Sequence, residues 1–274
     1  MQQITGVFLY YSRAVDPMML TAVSKLSMTV AHPTKADLAA AHRILHYAAT
    51  WPNATIVYHA SKMQLITHSD ASHLGDTESR SRAGGFHYLG DLAQPQIING
   101  PILCTSTIIP TICSAASESE YAALFINGRE AEALRGTLSD LGYTQGASPI
   151  ITDNTVATGI ATQTTKYRRS KAIAMRYHWI RDRVAQGHFI IQWQPGKDNL
   201  ADYFTKAYSG KATNEIRSKY VHSPSLAYIR DNARSRRISR MNAASQGQQV
   251  REGVLVERAI SPQPKLQHHR EPLE

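Results

Sequence analysis

The sequence predicts a mixed α/β fold in which helices flank a mixed sheet. Of its 274 residues, 42% are hydrophobic, which is enough for a substantial core. Between residues 53 and 210, short β-rich segments alternate with segments of helical periodicity. The predicted order is three strands, a helix, a strand, helices, a strand and a helix, and this order is typical of α/β layer folds.

Residues 1–52 are predicted to form a small helical segment ahead of this domain. Residues 17–30 and 33–50 both carry apolar side chains at spacings of three and four. Pro33 and Thr34 are suited to begin the second of these helices.

The α/β domain is predicted to span residues 53–210. Turn residues separate its short apolar segments, which predicts strands at 54–60, 64–72, 83–90, 148–154 and 188–195. Residues 95–108 are also apolar and β-branched, with too many Pro and Gly residues for a helix. Helices are predicted at 117–141, 155–163, 170–187 and 199–208.

Residues 211–274 lose this periodicity and are predicted to be a disordered basic tail. They contain twelve Lys and Arg against six Asp and Glu, so they hold +6 of the net charge of +9. A basic balance favours polyanionic partners, with nucleic acid first and acidic membrane second.

The chain is expected to be soluble and intracellular. Cys104 and Cys113 lack the spacing of a zinc site, so buried free thiols are expected. The first residues lack the features of a signal peptide. The longest apolar run, 97–113, is interrupted by Asn, Gly and Pro residues and does not predict a membrane span.

Two aspartates stand at the ends of predicted strands. Asp70 follows an apolar run in LITHSDAS, and Asp153 does the same in PIITDN. A buried carboxylate at such a position needs a cation or another partner. Each also has a structural explanation, because Asp70 is suited to cap a turn and Asp153 to cap the next helix.

Two further acids stand near predicted helix starts. Asp202 lies one turn into the last helix, where an acid also complements the helix dipole. Ser117 and Glu120 fit a capping box at the start of the long helix. Glu120 nevertheless continues the apolar line through Leu124, whereas Glu118, two residues earlier, is predicted to face solvent.

Together these four acids are predicted to converge at one edge of the sheet. Four carboxylates in one place need cations, and hard oxygen ligands of this kind suit two Mg²⁺ ions. Two ions about 4 Å apart stabilise the attacking and leaving oxygens of a phosphodiester displacement. The basic charge of the chain then indicates a nucleic acid as the substrate class.

The motifs HSDAS, SESEYAAL, ITDN and NLADYFTK, in this order, resemble the ribonuclease H domain of copia-type retrotransposon polyproteins. The segment SKAIAMRYHWIRDRV resembles the same group. Residues 7–50 resemble the segment that joins reverse transcriptase to ribonuclease H. The resemblance covers about residues 1–208 and implies a ribonuclease H-like fold for residues 53–210; the ordered set of motifs makes it specific.

The resemblance implies that the catalytic and metal-binding carboxylates are Asp70, Glu120, Asp153 and Asp202. It implies hydrolysis of the RNA strand of an RNA–DNA hybrid with two Mg²⁺ ions, for which Mn²⁺ is a substitute. The implied partners are the hybrid and a reverse transcriptase domain in cis or in trans, with no membrane. The implied location is the cytoplasm, within virus-like particles, or the nucleus, and not the secretory route.

Basic residues near these motifs are candidates for phosphate contacts. They lie in TESRSRAGGF and TKYRRSK, and the set is Arg80, Arg82, Lys166, Arg168, Arg169 and Lys171. Runs of charge also occur as plain solvated surface. Trp193 is a candidate to stack on nucleic acid, although packing within the protein also explains an aromatic residue there.

Two features depart from the family pattern. The segment QWQPGKDN has no histidine, where cellular ribonucleases H have one in the loop before the last helix. The catalytic Asp-Asp motif of the polymerase is absent, so this chain is not expected to polymerise DNA. Two other hypotheses stay open: a catalytically inactive remnant that only binds nucleic acid, and another nuclease or integrase of the same broad fold.

Overall fold

The computed structural model describes residues 1–162 and 178–222. The strands in these ranges are β1 (Gln64–Ser72), β2 (Arg82–Gly90), β3 (Pro101–Ile108), β4 (Ser148–Thr152) and β5 (Phe189–Trp193). The α-helices there are α1 (Gln2–Ala14), α2 (Leu20–Ser27), α3 (Lys35–Thr50), α4 (Ala116–Asp140), α5 (Thr155–Ala161), α6 (Trp179–Ala185) and α7 (Gly210–Ile216).

The strands form one mixed sheet in the order β3-β2-β1-β4-β5. The first three strands along the chain pair antiparallel, while β4 pairs parallel to β1 and β5 parallel to β4. Parallel neighbours need a crossover connection, and α4 and α5 lie in the two connections. The predicted mixed sheet flanked by helices is therefore confirmed.

The sheet has a hydrophobic core on each face. Successive residues of a strand point to opposite faces, so Leu65 packs in one cluster and Ile66 in the other. On the first face, Leu124 of α4 is fully buried in the cluster that contains Leu65. On the second face, Phe86 of β2 stacks on Phe204 at a ring separation of 6.3 Å.

The N-terminal helices pack against the second face. Met18 and Leu20, which lead into α2, belong to the same cluster as Phe86. Val23 and Ile44 bury the contact between α2 and α3 in a smaller cluster of their own. The predicted helical segment is thus confirmed as helical, and it lies with the sheet in one compact unit, Met1–Ser223.

Two predicted elements differ from the structure. Residues 54–60 form no strand and make only an isolated bridge from Thr55 to His222, because residues 101–108 occupy the edge beside β2 instead. Residues 199–208 form no α-helix; a short 3₁₀ turn, Asp202–Phe204, stands there.

The predicted disordered tail of residues 211–274 falls largely outside the described residues. Its first part, 211–222, contributes to α7 and to a 3₁₀ turn at Arg217–Lys219. Tyr220 and Val221 are buried in the second-face core, so this part of the chain is ordered by apolar packing.

Cys104 and Cys113 are buried free thiols, as the absence of zinc-site spacing predicted. Within the described ranges, no helix combines the length and apolar character that a membrane crossing requires.

Candidate metal centre

Two neighbouring parallel strands bring Asp70 and Asp153 to the same edge of the sheet. β1 and β4 are paired so that Thr67 lies opposite Ile150 and His68 opposite Ile151. When this register is continued along both strands, it places Asp70 opposite Asp153. Asn154 caps α5 by accepting a hydrogen bond from the backbone amide of Ala157 at 2.9 Å. The carboxylate of Asp153 is therefore not the helix cap.

Glu120 comes to this edge from α4, which lies across β1 and β2. Its side chain is 8% exposed and accepts a hydrogen bond from the backbone of Ala71. Its second oxygen, Oε2, is buried and has no hydrogen-bond partner. The capping box predicted with Ser117 does not form, because Ala115 is the N-cap of α4.

Glu118 was predicted to face solvent, and this prediction is wrong. Its side chain is 5% exposed, and Oε2 accepts hydrogen bonds from the backbone amide and the hydroxyl of Ser114, both at 2.7 Å. The chain before α4 folds over the first turn of the helix, so the carboxylate of Glu118 satisfies a backbone donor there. Helical periodicity alone does not describe a helix start that another segment covers.

Asp70, Glu120 and Asp153 form a cluster of three carboxylates. One oxygen of each lies within 4.8 Å of those of the other two. Burial, followed by the charges of Asp70 and Asp153, raises the pKa of Glu120 to about 9. Burial also raises the pKa of Asp70 to about 7, against the hydrogen bond from Thr205, and it raises the pKa of Asp153.

This cluster suits a divalent cation. Three carboxylate oxygens converge, and the unpaired Oε2 of Glu120 is a buried acceptor that lacks a donor. Hard oxygen ligands are those that Mg²⁺ and Mn²⁺ prefer. A bound cation would offset the burial and the neighbouring negative charges that raise the three pKa values.

Asp202 lies near the cluster without joining it. Its charge contributes to the raised pKa values of Asp70, Glu120 and Asp153. Its oxygens are engaged elsewhere: Lys206 Nζ donates to Oδ1 at 2.5 Å, and the hydroxyl of Tyr208 donates to Oδ2. The structure thus brings three of the four predicted acids together, and it holds the fourth beside them.

The segment that carries Asp202 is tied to β1. The side chain of Asn199 donates to the carbonyl oxygen of Ser69 at 3.0 Å. The backbone amide of Leu200 donates to Nδ1 of His68 at 3.2 Å. Burial lowers the pKa of His68 to about 4, so this ring is neutral and Nδ1 accepts. These two bonds fix the segment that carries Asp202 against β1, and a tight turn stands where the helix was predicted.

A glycine in β2 lets the same segment approach Asp70. Gly84 pairs with Asp70 across the sheet. A Cβ at Gly84 would lie 2.7 Å from the carbonyl oxygen of Ala201 and 2.7 Å from Cγ2 of Thr205. Because this space is open, Thr205 Oγ1 reaches Asp70 and donates to Oδ2 at 2.9 Å.

The turn after β5 closes over Asp153. The indole N–H of Trp193 donates to the backbone carbonyl of Asp153 at 2.9 Å, while 53% of the side chain stays exposed. A Cβ at Gly196 would lie 2.6 Å from Oδ2 of Asp153. Trp193 therefore presents an exposed aromatic surface close to the carboxylate cluster.

The predicted phosphate-binding residues have different outcomes. Arg82 is fully buried and pairs with Asp76 at 2.8 Å, so its assignment to a phosphate contact is wrong. Arg80 is partly exposed, and its guanidinium donates to the carbonyl of Pro110 at 2.6 Å. The remaining four, Lys166, Arg168, Arg169 and Lys171, lie outside the described residues.

Several residues of this site were absent from the sequence-based predictions. Thr205 and Lys206 follow Asp202 by three and four positions, and that spacing is the signal that would have identified them. The roles of Gly84 and Gly196 depend on close approaches of distant segments, for which the sequence carries no signal.

Known proteins show where similar sequences occur. No protein-family model matches the chain. The retrovirus-related Pol polyprotein from transposon RE1 of Arabidopsis thaliana is 30% identical over 214 residues, which are 77% of this chain and 14% of the polyprotein. That from transposon TNT 1-94 of Nicotiana tabacum is 25% identical over 201 residues, 73% of this chain and 15% of the polyprotein. The chain therefore spans only 14–15% of the length of these two relatives.

Among solved structures, LC11-RNase H1 in complex with an RNA/DNA hybrid aligns with a TM-score of 0.40 at 13% identity. The alignment covers 54% of this chain and 98% of that chain.

Proposed function

Since this chain is homologous to a region of the retrovirus-related Pol polyproteins of copia-type transposons, we propose that it is the ribonuclease H part of such a polyprotein. The proposed substrate is an RNA–DNA hybrid, and the reaction is hydrolysis of its RNA strand. The proposed partner is a reverse transcriptase domain, in cis or in trans.

The observation that carries this proposal is the cluster of Asp70, Glu120 and Asp153. Two of these side chains are nearly fully buried, at 5% and 8% exposure, and no described basic side chain forms an ion pair with any of the three. Burying carboxylates without cations is costly, so such a group is expected to serve a function. Divalent cations bound at these oxygens neutralise charge and activate water in phosphodiester hydrolysis.

The protein's own residues prepare this site in two ways. Thr205 holds Asp70 by a hydrogen bond, and the unpaired Oε2 of Glu120 stays available to a cation. Asp70 is held by Thr205 and Glu120 by the backbone of Ala71 before any ligand arrives, which lowers the cost of organising the site.

The surface beside Asp153 suits a nucleic acid. Trp193 offers an exposed aromatic face, on which a base or a sugar stacks. Lys197 lies exposed in the turn that begins at Gly196, the residue next to the carboxylate of Asp153. A cation at this position neutralises a backbone phosphate without reading sequence.

The test is cleavage of a labelled RNA–DNA hybrid in the presence of Mg²⁺. The parent protein is compared with Asp153→Asn, which removes one carboxylate of the cluster. Asp198→Asn is the matched control, because Asp198 is an exposed acid in the neighbouring turn. We expect the parent and Asp198→Asn to cut the RNA strand and Asp153→Asn to leave it intact.

Two results would contradict the proposal. Tight binding of the hybrid without cleavage by the parent protein would indicate an inactive remnant that only binds nucleic acid. Cleavage of duplex DNA in preference to the hybrid would indicate a different nuclease.

A further inference from the structure

Both carboxylate oxygens of Asp202 are already occupied by side chains that follow it in sequence. Lys206 Nζ lies 2.5 Å from Oδ1, and the hydroxyl of Tyr208 donates to Oδ2. The three carboxylates of the cluster have no comparable ion pair among the described residues. Asp202 is thus a predicted ligand whose two oxygens both have a side-chain donor that a cation would compete with.

Tyr208 is held firmly enough to act as a clamp. Its ring stacks on that of Tyr203, with centroids 5.2 Å apart and planes inclined by 24°. The hydroxyl of Tyr203 donates to the carbonyl oxygen of Met18 at 2.9 Å. The partner of Asp202 is therefore anchored to the N-terminal helical segment through two aromatic side chains.

Lys206 brings positive charge to the site itself. Besides pairing with Asp202, its ammonium group counteracts the raised pKa values of both Asp70 and Asp153. The same ammonium lies 5.6 Å from the centre of the Tyr208 ring, so the two clamp residues also contact each other. Lys206 therefore lies within electrostatic reach of three of the four acids.

We propose that Lys206 and Tyr208 form a clamp that keeps Asp202 out of the metal-binding cluster, with Lys206 acting as an internal counter-ion that a divalent cation displaces. This inference rests on the proposed function and on the role of Asp202 as a metal ligand, which the resemblance to the ribonuclease H domain implies. Lys206 and Tyr208 are positioning residues: they act through Asp202.

The clamp has a consequence for cation binding. Asp70, Glu120 and Asp153 bind a cation without any change at Asp202, because their oxygens already lie within 4.8 Å of one another. Binding that uses Asp202 competes with the Lys206 ammonium for Oδ1 or with the Tyr208 hydroxyl for Oδ2. A cation that binds through Asp202 is therefore bound less tightly than it would be if Lys206 and Tyr208 did not occupy the oxygens of Asp202.

The experiment measures Mn²⁺ binding to the full chain without nucleic acid, by calorimetry and by electron paramagnetic resonance. Lys206→Met removes the competing charge, while Lys206→Arg retains it. Lys211→Met is the control, because Lys211 is an exposed lysine in α7. Tyr208→Phe removes only the hydroxyl and keeps the stacked ring.

We expect Lys206→Met to bind the more weakly held Mn²⁺ ion about two- to fivefold more tightly, which is the range for a partly exposed ion pair. Tyr208→Phe should shift the affinity in the same direction by less. Lys206→Arg and Lys211→Met should match the parent protein. Unchanged or weaker Mn²⁺ binding in both Lys206→Met and Tyr208→Phe would overturn the clamp.

The two proposals fail in different ways. If the parent protein binds Mn²⁺ and Lys206→Met binds it more tightly, but the parent does not cut the hybrid, the clamp is supported and the ribonuclease function is contradicted. If the parent protein cuts the hybrid and neither clamp variant changes the Mn²⁺ affinity, the ribonuclease function is supported and the clamp is contradicted. If Lys206→Met fails to fold, Tyr208→Phe decides the question, because its packing is preserved.

Discussion

The molecule buries acidic side chains in two opposite ways. Asp16, at the contact between the N-terminal helices and the last described residues, is 1% exposed and fully partnered. It accepts hydrogen bonds from Arg217 at 3.0 Å, from the backbone of Met18 at 3.1 Å and from Tyr47 at 3.3 Å. Glu120 is 8% exposed, yet one of its oxygens has no partner.

This comparison shows that burial alone does not identify a functional acid. The buried Asp16 is compensated by a guanidinium, which is the usual condition for a charge inside a protein. Glu120 and Asp70 are compensated by nothing comparable within the described residues. A structural acid and a candidate metal ligand therefore differ in their partners.

The first prediction is that a substitution in the carboxylate cluster strongly lowers activity but leaves the stability of the fold almost unchanged. Glu120→Gln should lower hybrid cleavage by about 1,000-fold, the equivalent of roughly 4 kcal/mol of lost transition-state stabilisation. Because burial raises the pKa of Glu120 to about 9, the metal-free protein holds this carboxyl protonated at neutral pH. Its stability should therefore change by no more than about 1 kcal/mol. Initial cleavage rates and urea unfolding measure the two effects.

A large loss of stability in Glu120→Gln would mean that the carboxylate is a structural group like Asp16. Retention of most of the activity would remove Glu120 from the site.

The second prediction concerns the same change of carboxylate to amide at Asp16, the fully partnered acid. Asp16→Asn removes the buried anion that pairs with the guanidinium of Arg217, and it should lower the free energy of unfolding by about 3–5 kcal/mol. Mn²⁺ affinity of the folded fraction should stay as in the parent protein, because Asp16 has no contact with the carboxylate cluster. Urea unfolding measures the first effect and calorimetry at low temperature the second.

Normal stability of Asp16→Asn would show that the ion pair with Arg217 is dispensable. Lys25→Met offers a control: Lys25 is 35% exposed and pairs with Asp76 at 3.3 Å, so its loss should cost less than about 1 kcal/mol.

The third prediction is that the carboxylate cluster and a paired acid, Asp76, affect stability with opposite dependence on pH. Asp70 and Glu120 have raised pKa values, about 7 and about 9, so the metal-free folded protein binds more protons than the unfolded chain above pH 4. Their contribution to stability is fully present below pH 4 and is lost as pH rises through 7 and 9. Saturating Mg²⁺ should reduce this loss, because the bound cation replaces the protons.

Asp76 should show the opposite pH dependence. Burial raises its pKa, but the hydrogen bond and charge of Arg82 and the charge of Lys25 outweigh burial, so the pKa is lowered. Its contribution is present above the unfolded value and is lost as pH falls through the lowered value. Melting temperatures measured from well below the ordinary Asp pKa of about 3.9 up to pH 9, with and without Mg²⁺, show both effects. A metal-free stability that rises between pH 6 and 9 would contradict the assignment of the site.

Some of the site could be predicted because it depends on local periodicity. Asp70 and Asp153 end apolar strands, and parallel neighbours bring such ends to one edge. Glu120 precedes Leu124 by one helical turn, and both are buried against the sheet. Each of these three positions follows from a pattern within a single strand or helix, such as β4 with 5 residues or α4 with 25 residues. The fold then brings the three positions together.

Other features could not be predicted because they depend on contacts between distant segments. Arg82 appears in the sequence as one of a pair of surface arginines, yet the approach of α2 buries it beside Asp76 and Ser24. Helical periodicity places Glu118 on the solvent face of its helix, whereas in the structure Ser114 covers it. In both cases a neighbouring segment changes the environment of a charge whose local pattern gives no sign of it.

By itself the sequence determined the mixed fold, most of its elements and the candidate acids, because periodicity and strand ends are local properties. Only the tertiary structure decided the state of each acid. Asp70, Glu120 and Asp153 converge without a direct ion pair to any described basic side chain, while Lys206 and Tyr208 hold Asp202 aside. The physical reason is that the free energy of a buried charge depends on what lies within a few ångströms in space, and those neighbours come from the whole chain.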